Sequence, residues 1–276
     1  MVDETIVSNH YDNSSLLELI HAGISKLGKS NKTVTVEDLA PVDEFHIGGR
    51  VATDHLMNQL TFSQSAELLD IGCGLGGASR FIAKHYGNKV TGIDLTDVYV
   101  SVGKTLTDWV DLKHLVSLHQ GSALDMPFND MSFDGAYMLH VGMNIQAKGA
   151  LFTQTARVLK PGAKFGVYDV MRTKEGNLSY PVPWASDESF SFLSSPEEYS
   201  ALLQSSGFTI EAINDRREFA LEFFKQLKEK SEASKGPPAL GLHLLMQHTS
   251  PEKMRNMISN IANGLVSPTE IIAKKI

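Results

Sequence analysis

Through the middle of the chain, short apolar runs alternate with amphipathic stretches. Residues 66–71, 89–95, 116–120, 133–140, 164–170 and 208–214 read as strands, the first as a fully buried run. Between them, residues 78–85, 98–110, 146–159 and 196–206 carry apolar positions at helical spacing. Ser195 followed by Pro196 marks a helix start, and Gly207 marks its end. Lys160-Pro161-Gly162-Ala163 reads as a turn before the fifth strand. Strand and helix in regular alternation predict an α/β fold with a parallel sheet.

The flanks differ. Leu16, Leu17, Leu19, Ile20 and Ile24 predict one short helix, and Val51, His55, Leu56 and Leu60 another, separated by the polar residues 28–33. Residues 41–50 read as a turn-rich approach to the second helix. Residues 172–194 hold Tyr180, Pro181, Pro183, Trp184 and Phe190 without periodicity, and a loop of that length is usually functional or mobile. Phe219, Phe223 and Leu227 mark a charged helix, which Gly236-Pro237-Pro238 breaks. Its charge run, from Arg216 to Lys235, reads as a solvated face. Helical runs at 240–247 and 252–261 precede a last strand at 269–274, expected to return into the sheet. The expected organisation is an N-terminal helical cap (1–65), a core (66–214), and a helical insertion with the final strand (215–276). The seven strands are expected to form a mostly parallel sheet with helices on both faces.

Composition narrows the function. The chain has 276 residues, a formal net charge of −7 and no dense Lys/Arg cluster, which argues against a duplex-DNA partner. No run of about 18 apolar residues exists, and the first residues lack a basic patch followed by an apolar stretch. A single cysteine, Cys73, excludes an intramolecular disulfide and a cysteine-based zinc site, and it reads as a small filler. The expectation is a soluble, cytoplasmic protein acting on a small molecule. No metal, nucleic acid or membrane span is expected, and a homodimer remains open.

The main chemical signal is Leu68-Leu69-Asp70-Ile71-Gly72-Cys73-Gly74-Leu75-Gly76-Gly77. Gly72, Gly74 and Gly76 lie between a strand and a helix, where glycine permits positive φ and close approach of a ligand to the backbone. Asp70 ends the strand, where its carboxylate can accept hydrogen bonds from an ammonium group or water. Asp94 ends the next strand, 22 residues after Gly72, where it can bind a ribose hydroxyl. The formal pattern Gly72-x-Gly74-x-x-Gly77 also fits a nicotinamide-dependent dehydrogenase.

Five ordered motifs favour another family. Asp70-Ile71-Gly72-Cys73-Gly74, Gly92-Ile93-Asp94, Gly121 to Phe128, Ser132-Phe133-Asp134 and Leu159-Lys160-Pro161-Gly162 together resemble the class I S-adenosylmethionine-dependent methyltransferases. That resemblance implies a Rossmann-like fold. It also implies S-adenosyl-L-methionine as cofactor and S-adenosyl-L-homocysteine as product. Two positions depart: Ser122 stands where many members have an acid, and Ala163 replaces a glycine. The adenine amino group is thereby left to Ser122, a backbone carbonyl or Asp125. The expected cofactor contacts are Asp70, Gly72, Gly74, Gly76, Asp94, Leu95, Ser122, Ala123, Leu124 and Leu139. Gly48 and Gly49 join them by resemblance, and Tyr11 closes over the cofactor.

The blocks Phe45 to Arg50 and His140-Val141-Gly142-Met143-Asn144 are most similar to the sarcosine/dimethylglycine N-methyltransferases, near the ubiquinone/menaquinone C-methyltransferases. His140, at the carboxyl end of the fourth strand, can take a proton, and Tyr168 and Asp169 end the fifth strand. His140 and Tyr168 are the catalytic candidates. His46, Arg50, Asn144, Arg172, Tyr180 and Trp184 are the acceptor-binding ones, donating to a carboxylate or sheltering a methylated ammonium. The expected reaction is in-line displacement onto a small amine such as sarcosine or dimethylglycine. C- or O-methylation of a quinol, phenol or other small metabolite is the alternative, and a quinol would call for a wide apolar entrance. A cofactor-binding partner without catalysis is a third reading.

Overall fold

The computed structural model describes residues 15–233, 238–246 and 249–276. Three helices come first: α1 (Leu16–Lys26), α2 (Val36–Asp43) and α3 (Gly49–Leu60). The alternating core follows as β1 (Glu67–Ile71), α4 (Gly77–Tyr86), β2 (Lys89–Asp94), α5 (Asp97–Trp109), β3 (Val116–Gln120), β4 (Phe133–Leu139), α6 (Lys148–Val158) and β5 (Leu159–Arg172). Next come α7 (Pro196–Ser205), β6 (Phe208–Asp215), α8 (Arg217–Ala233), α9 (His243–Met246), α10 (Ser250–Ala262) and β7 (Val266–Lys275). The seven strands form one sheet in the order β3-β2-β1-β4-β5-β7-β6. All pairs are parallel except those made by β7, which runs antiparallel between β5 and β6. Strand order reverses between β1 and β4, so the crevice above their carboxyl ends is the ligand position of such a sheet.

Period-two alternation assigns strand residues to opposite faces. Leu68, Tyr137, Tyr168 and Ile272 pack with Leu56 and Leu60 of α3 and Phe81 of α4. Leu69, Met138, Val167 and Ile271 pack with Phe152 of α6 and Leu203 of α7 on the other face. A third cluster joins α1 and α2 to α5 through Leu16, Ile20, Leu39, Val42, Val102 and Leu106. A fourth lies over the sheet's end. There Val182, Trp184 and Ala185 of the long loop meet Phe224 of α8, Met257 and Ile261 of α10, and Val266. No helix among the described residues is long and apolar enough to cross a membrane.

Two local expectations change. Residues 41–43 are not turn but the end of α2, whose start is a capping box. The Thr35 hydroxyl accepts from the Asp38 amide at 3.3 Å, and the Asp38 carboxylate accepts from the Thr35 amide at 2.8 Å. Pro41 lies inside this helix, which masks it from a periodicity reading. The turn at 160–163 is instead an irregularity within β5. Leu159 pairs with Phe133, and pairing resumes at Lys164 with Gly135, the residues between being looped out.

The N-terminal helices are tied to the core by a buried ion pair. Arg80 of α4 has no exposed surface, and its guanidinium donates to Asp43 Oδ2 at 2.6 Å, to Gly103 O at 3.1 Å and to Thr107 Oγ1 at 3.0 Å. Removing one partner of such a pair strands the other charge. Arg80→Ala is expected to lower the unfolding free energy by about 3–5 kcal/mol, read from urea unfolding. A loss below about 1 kcal/mol would show the pair to be dispensable.

Candidate active site

A cavity of about 1440 Å³ opens at the carboxyl ends of β1, β2 and β4. Of the expected cofactor contacts, Asp70, Gly72, Gly74, Asp94 and Leu95 line it from the first two βα turns. Ser122, Ala123 and Leu124 line it after β3, Leu139 from β4, and Gly48 and Gly49 from the start of α3. Gly76 does not. A side chain there would meet Leu118 and the Arg80 guanidinium, so this glycine serves the start of α4. Tyr11 lies outside the described residues.

The geometry at this end suits S-adenosyl-L-methionine. Gly74 has φ +53°, and a Cβ built on it meets nothing within 4 Å, so its backbone faces open space. Its amide donates to Asp94 Oδ2 at 2.8 Å, while the Thr96 amide donates to Oδ1 at 2.9 Å. Each carboxylate oxygen retains a lone pair for a ribose hydroxyl. Burial pushes the Asp94 carboxyl above its usual range. Asp70 is more strongly affected: burial raises it to about 7, although Ser79 Oγ donates to it at 2.6 Å. The Ser122 hydroxyl accepts from the Leu124 amide at 3.0 Å and so shapes the loop that presents Ala123 and Leu124 as an apolar wall.

Another part of the cavity is built around two histidines. His140 follows β4 in a left-handed conformation, φ +57°, unusual for a residue with a side chain. Its amide donates to Tyr168 O at 2.7 Å, and its Nε2 is buried without a partner among the described residues. His46 stands beside it, ring centroids 6.1 Å apart. The His46 Nε2 lies 3.0 Å from Gly49 O and 2.9 Å from Thr53 Oγ1. Burial lowers His46 to about 4 and drives His140 well below the usual histidine value, so both rings are neutral near pH 7. Glu44, missed in the sequence, is buried next to them. Burial, with Asp43 nearby, raises it to about 7 against the pull of Arg50.

His46, Arg50, Asn144, His140 and Trp184 all line the cavity. Arg50, however, is engaged by Glu44 Oε1 at 3.0 Å and Val36 O at 3.0 Å. Three expected residues are not brought there. Tyr168 has no exposed surface and sits behind His140, centroids 5.0 Å apart, because strand alternation turns it under α3. Arg172 ends β5, and its guanidinium donates to Gly176 O. Tyr180 packs into the cluster beneath Trp184. The sequence also gave no sign of the long apolar wall: Phe223, Phe224 and Leu227 of α8, Leu240 and Leu242, Met246 of α9, and Met254 and Met257 of α10. Amphipathic spacing marks such residues as packed without saying against what.

Comparison with known proteins agrees with this geometry. Residues 69–167 match the family model described as a methyltransferase domain. The chain is 28% identical over 247 residues to the O-methyltransferase resE of Aspergillus sclerotiorum, covering 88% of this chain and 90% of that one. It is 32% identical over 119 residues to the sterol 24-C-methyltransferase ERG6B of Gibberella zeae, but spans only 31% of that relative's length and 43% of its own. In structure it resembles the geranyl diphosphate C-methyltransferase of Streptomyces coelicolor A3(2), with TM-score 0.71, 18% identity, and 99% and 97% of the two chains covered. It also resembles a Galdieria sulphuraria protein assigned as a sarcosine dimethylglycine methyltransferase, with TM-score 0.65, 20% identity, and 81% and 85% covered. At such identities the structural likenesses establish the fold.

Two outcomes are expected at the cofactor end. Asp94→Ala should weaken S-adenosyl-L-methionine binding at least about tenfold in calorimetric titration, each lost charge-assisted hydrogen bond being worth about 1.5–3 kcal/mol. Unchanged affinity would remove Asp94 from the site. Asp70 must lose its proton to receive an ammonium group, so binding should weaken as pH falls through about 7. Between pH 7.5 and pH 6 the expected loss is roughly five- to tenfold. Asp70→Asn should flatten that dependence.

Proposed function

Because the chain carries a class I S-adenosyl-L-methionine-dependent methyltransferase domain, we propose that it methylates a hydroxyl oxygen on an extended, largely apolar small molecule. The apolar wall carries this reading. Trp184, Phe224, Leu227, Met246, Met254 and Met257 line the same cavity as Asp94. A compact zwitterion such as sarcosine would leave that surface facing water, whereas an apolar acceptor covers it at about 25 cal/mol per Å² buried. Sarcosine would also need carboxylate donors. Arg172 is not at the cavity, and Arg50 is already bound to Glu44. Support also comes from resE, an O-methyltransferase matched along most of both chains.

When bound, the cofactor supplies a methyl group already activated as a sulfonium. The chain's own contribution is then alignment, desolvation and proton removal. The cofactor is held by the turns around Gly74 and Asp94, and the acceptor's apolar body by the walls of α8 to α10. The His140 Nε2, neutral and unpartnered among the described residues, accepts the hydroxyl proton as the oxygen attacks. His46 and Tyr168 back the ring and hold it in place. In this reading the strand-end turns within residues 66–214 supply most of the cofactor contacts, and His46 of the N-terminal part and the apolar residues of α8 to α10 join His140 and Trp184 around the acceptor.

Labelled methyl donor offered with a long-chain para-alkylphenol, a sterol, sarcosine and dimethylglycine should label the phenol most. His140→Ala should then lower kcat by about 100-fold, the lower end of what a general base contributes. Transfer to the amino acids alone would overturn the apolar reading and restore the amine one.

A further inference from the structure

The strained turn that carries His140 needs something to hold it, and the structure supplies a single buried carboxyl. Asp169, the next residue along β5 from Tyr168, has no exposed surface and does not line the cavity. Its Oδ1 accepts from the Val141 amide at 2.7 Å, and its Oδ2 from the Gly142 amide at 2.9 Å. The Tyr199 hydroxyl of α7 donates to Oδ2 at 2.9 Å. Both amides directly after His140 are thus gripped by one side chain, itself anchored to the opposite helix layer.

The grip reaches further. The Val141 side chain lies against Gly72, where a Cβ would collide with both of its methyl carbons. Gly142 is required for a similar reason, since a Cβ there would run into Asp169 Oδ2 and the Tyr199 hydroxyl. One carboxyl therefore sets how the His140 turn sits relative to the glycine turn of β1, the two sides of the cavity between which the methyl group must travel.

We propose that Asp169, braced by Tyr199, is the positioning residue for His140 and fixes its separation from the cofactor turn. The inference rests on the reading of His140 as the base. His140 is faced by His46 from the start of α3 and by Tyr168 from β5. Asp169 is faced by Tyr199 and, electrostatically, by Lys148 of α6.

The test uses the full chain with S-adenosyl-L-homocysteine and a long-chain para-alkylphenol as probes. Asp169→Asn keeps the size of the side chain but turns an amide NH₂ toward one of the two amides. Expected are a fall in kcat of at least about tenfold and changes within about threefold in KM and in homocysteine-product affinity. In histidine-selective NMR, the His140 titration should move up toward an ordinary histidine as water reaches the ring. Tyr199→Phe removes only the brace and should show a smaller shift in the same direction. A folded Asp169→Asn variant with unchanged kcat and unchanged His140 titration overturns the proposal. If that variant fails to fold, Gly142→Ala displaces the same carboxyl and is read in the same way. Full turnover by His140→Ala would sink the base reading, and the titration alone would then decide for or against Asp169.

Discussion

The guanidinium of Arg80 holds three parts of the molecule in one place. It lies on the helix that begins at the glycine turn and reaches Asp43 at the end of α2 and Gly103 and Thr107 on α5. The N-terminal helices have other polar ties to α4, from Lys84 to Glu37 at 2.8 Å and from the Tyr86 hydroxyl to Asp54 at 2.7 Å, but these lie at the surface, whereas the Arg80 pair is buried. Their remaining contacts with α5 are apolar and tolerate sliding. Close approach confirms the dependence: a Cβ on Gly77 would collide with the Asp43 backbone, and one on Gly103 would come within 2.7 Å of Leu75 O. The glycine turn is thus clamped from two sides, and the cavity inherits its floor from that clamp.

The two ends of the cavity are stabilised in different ways. The cofactor end is made of turns leaving parallel strands, where backbone geometry and two carboxylates do the work. The histidine end depends on neutral, buried rings and on side chains from segments outside the parallel strands. Burial shapes the chemistry at both ends. It keeps the histidines uncharged and places Glu44, Asp70 and Asp169 each near neutrality. In the ligand-free protein these carboxyls hold protons that the unfolded chain would release, so each costs stability as pH rises from about 4 to about 7. The buried histidines have the opposite sign, with His46 costing stability as pH falls from about 6.5 to about 4.

The sheet and its glycine turn were legible because buried parallel strands are apolar runs and tight turns demand glycine. All seven strands were located, and the expected return of residues 269–274 into the sheet holds. Helix α2 was hidden by Pro41, although Thr35 followed by Asp38 was a readable start signal. The acceptor side was less legible. Tyr168 and Asp169, expected to end the fifth strand, lie inside it, because β5 runs on beside β7 to Arg172 after its pairing with β4 stops at Tyr168. Only the sheet's facing decides which turns toward α3 and which toward the His140 turn. Likewise, Arg172 and Tyr180 have the right chemistry for a carboxylated amine, but the path of the long loop takes them elsewhere. Chemical type can be read from sequence; direction requires the fold.

The placement of α8 to α10 has a consequence for how such a chain can diversify. They leave the sheet at Asp215 and rejoin it at Val266, on strands paired so closely that Asp215 stands opposite Thr269. Val266 lies three residues, about 10 Å, before Thr269 along β7, so the two ends of this excursion are about 11 Å apart and held there by the sheet whatever lies between. Closing a longer or shorter excursion between fixed ends changes the entropy cost by only about 0.6 kcal/mol per doubling. The helices that supply the cavity's apolar wall thus behave as an exchangeable cassette. They can be lengthened, trimmed or recomposed while the turns that hold the cofactor remain undisturbed.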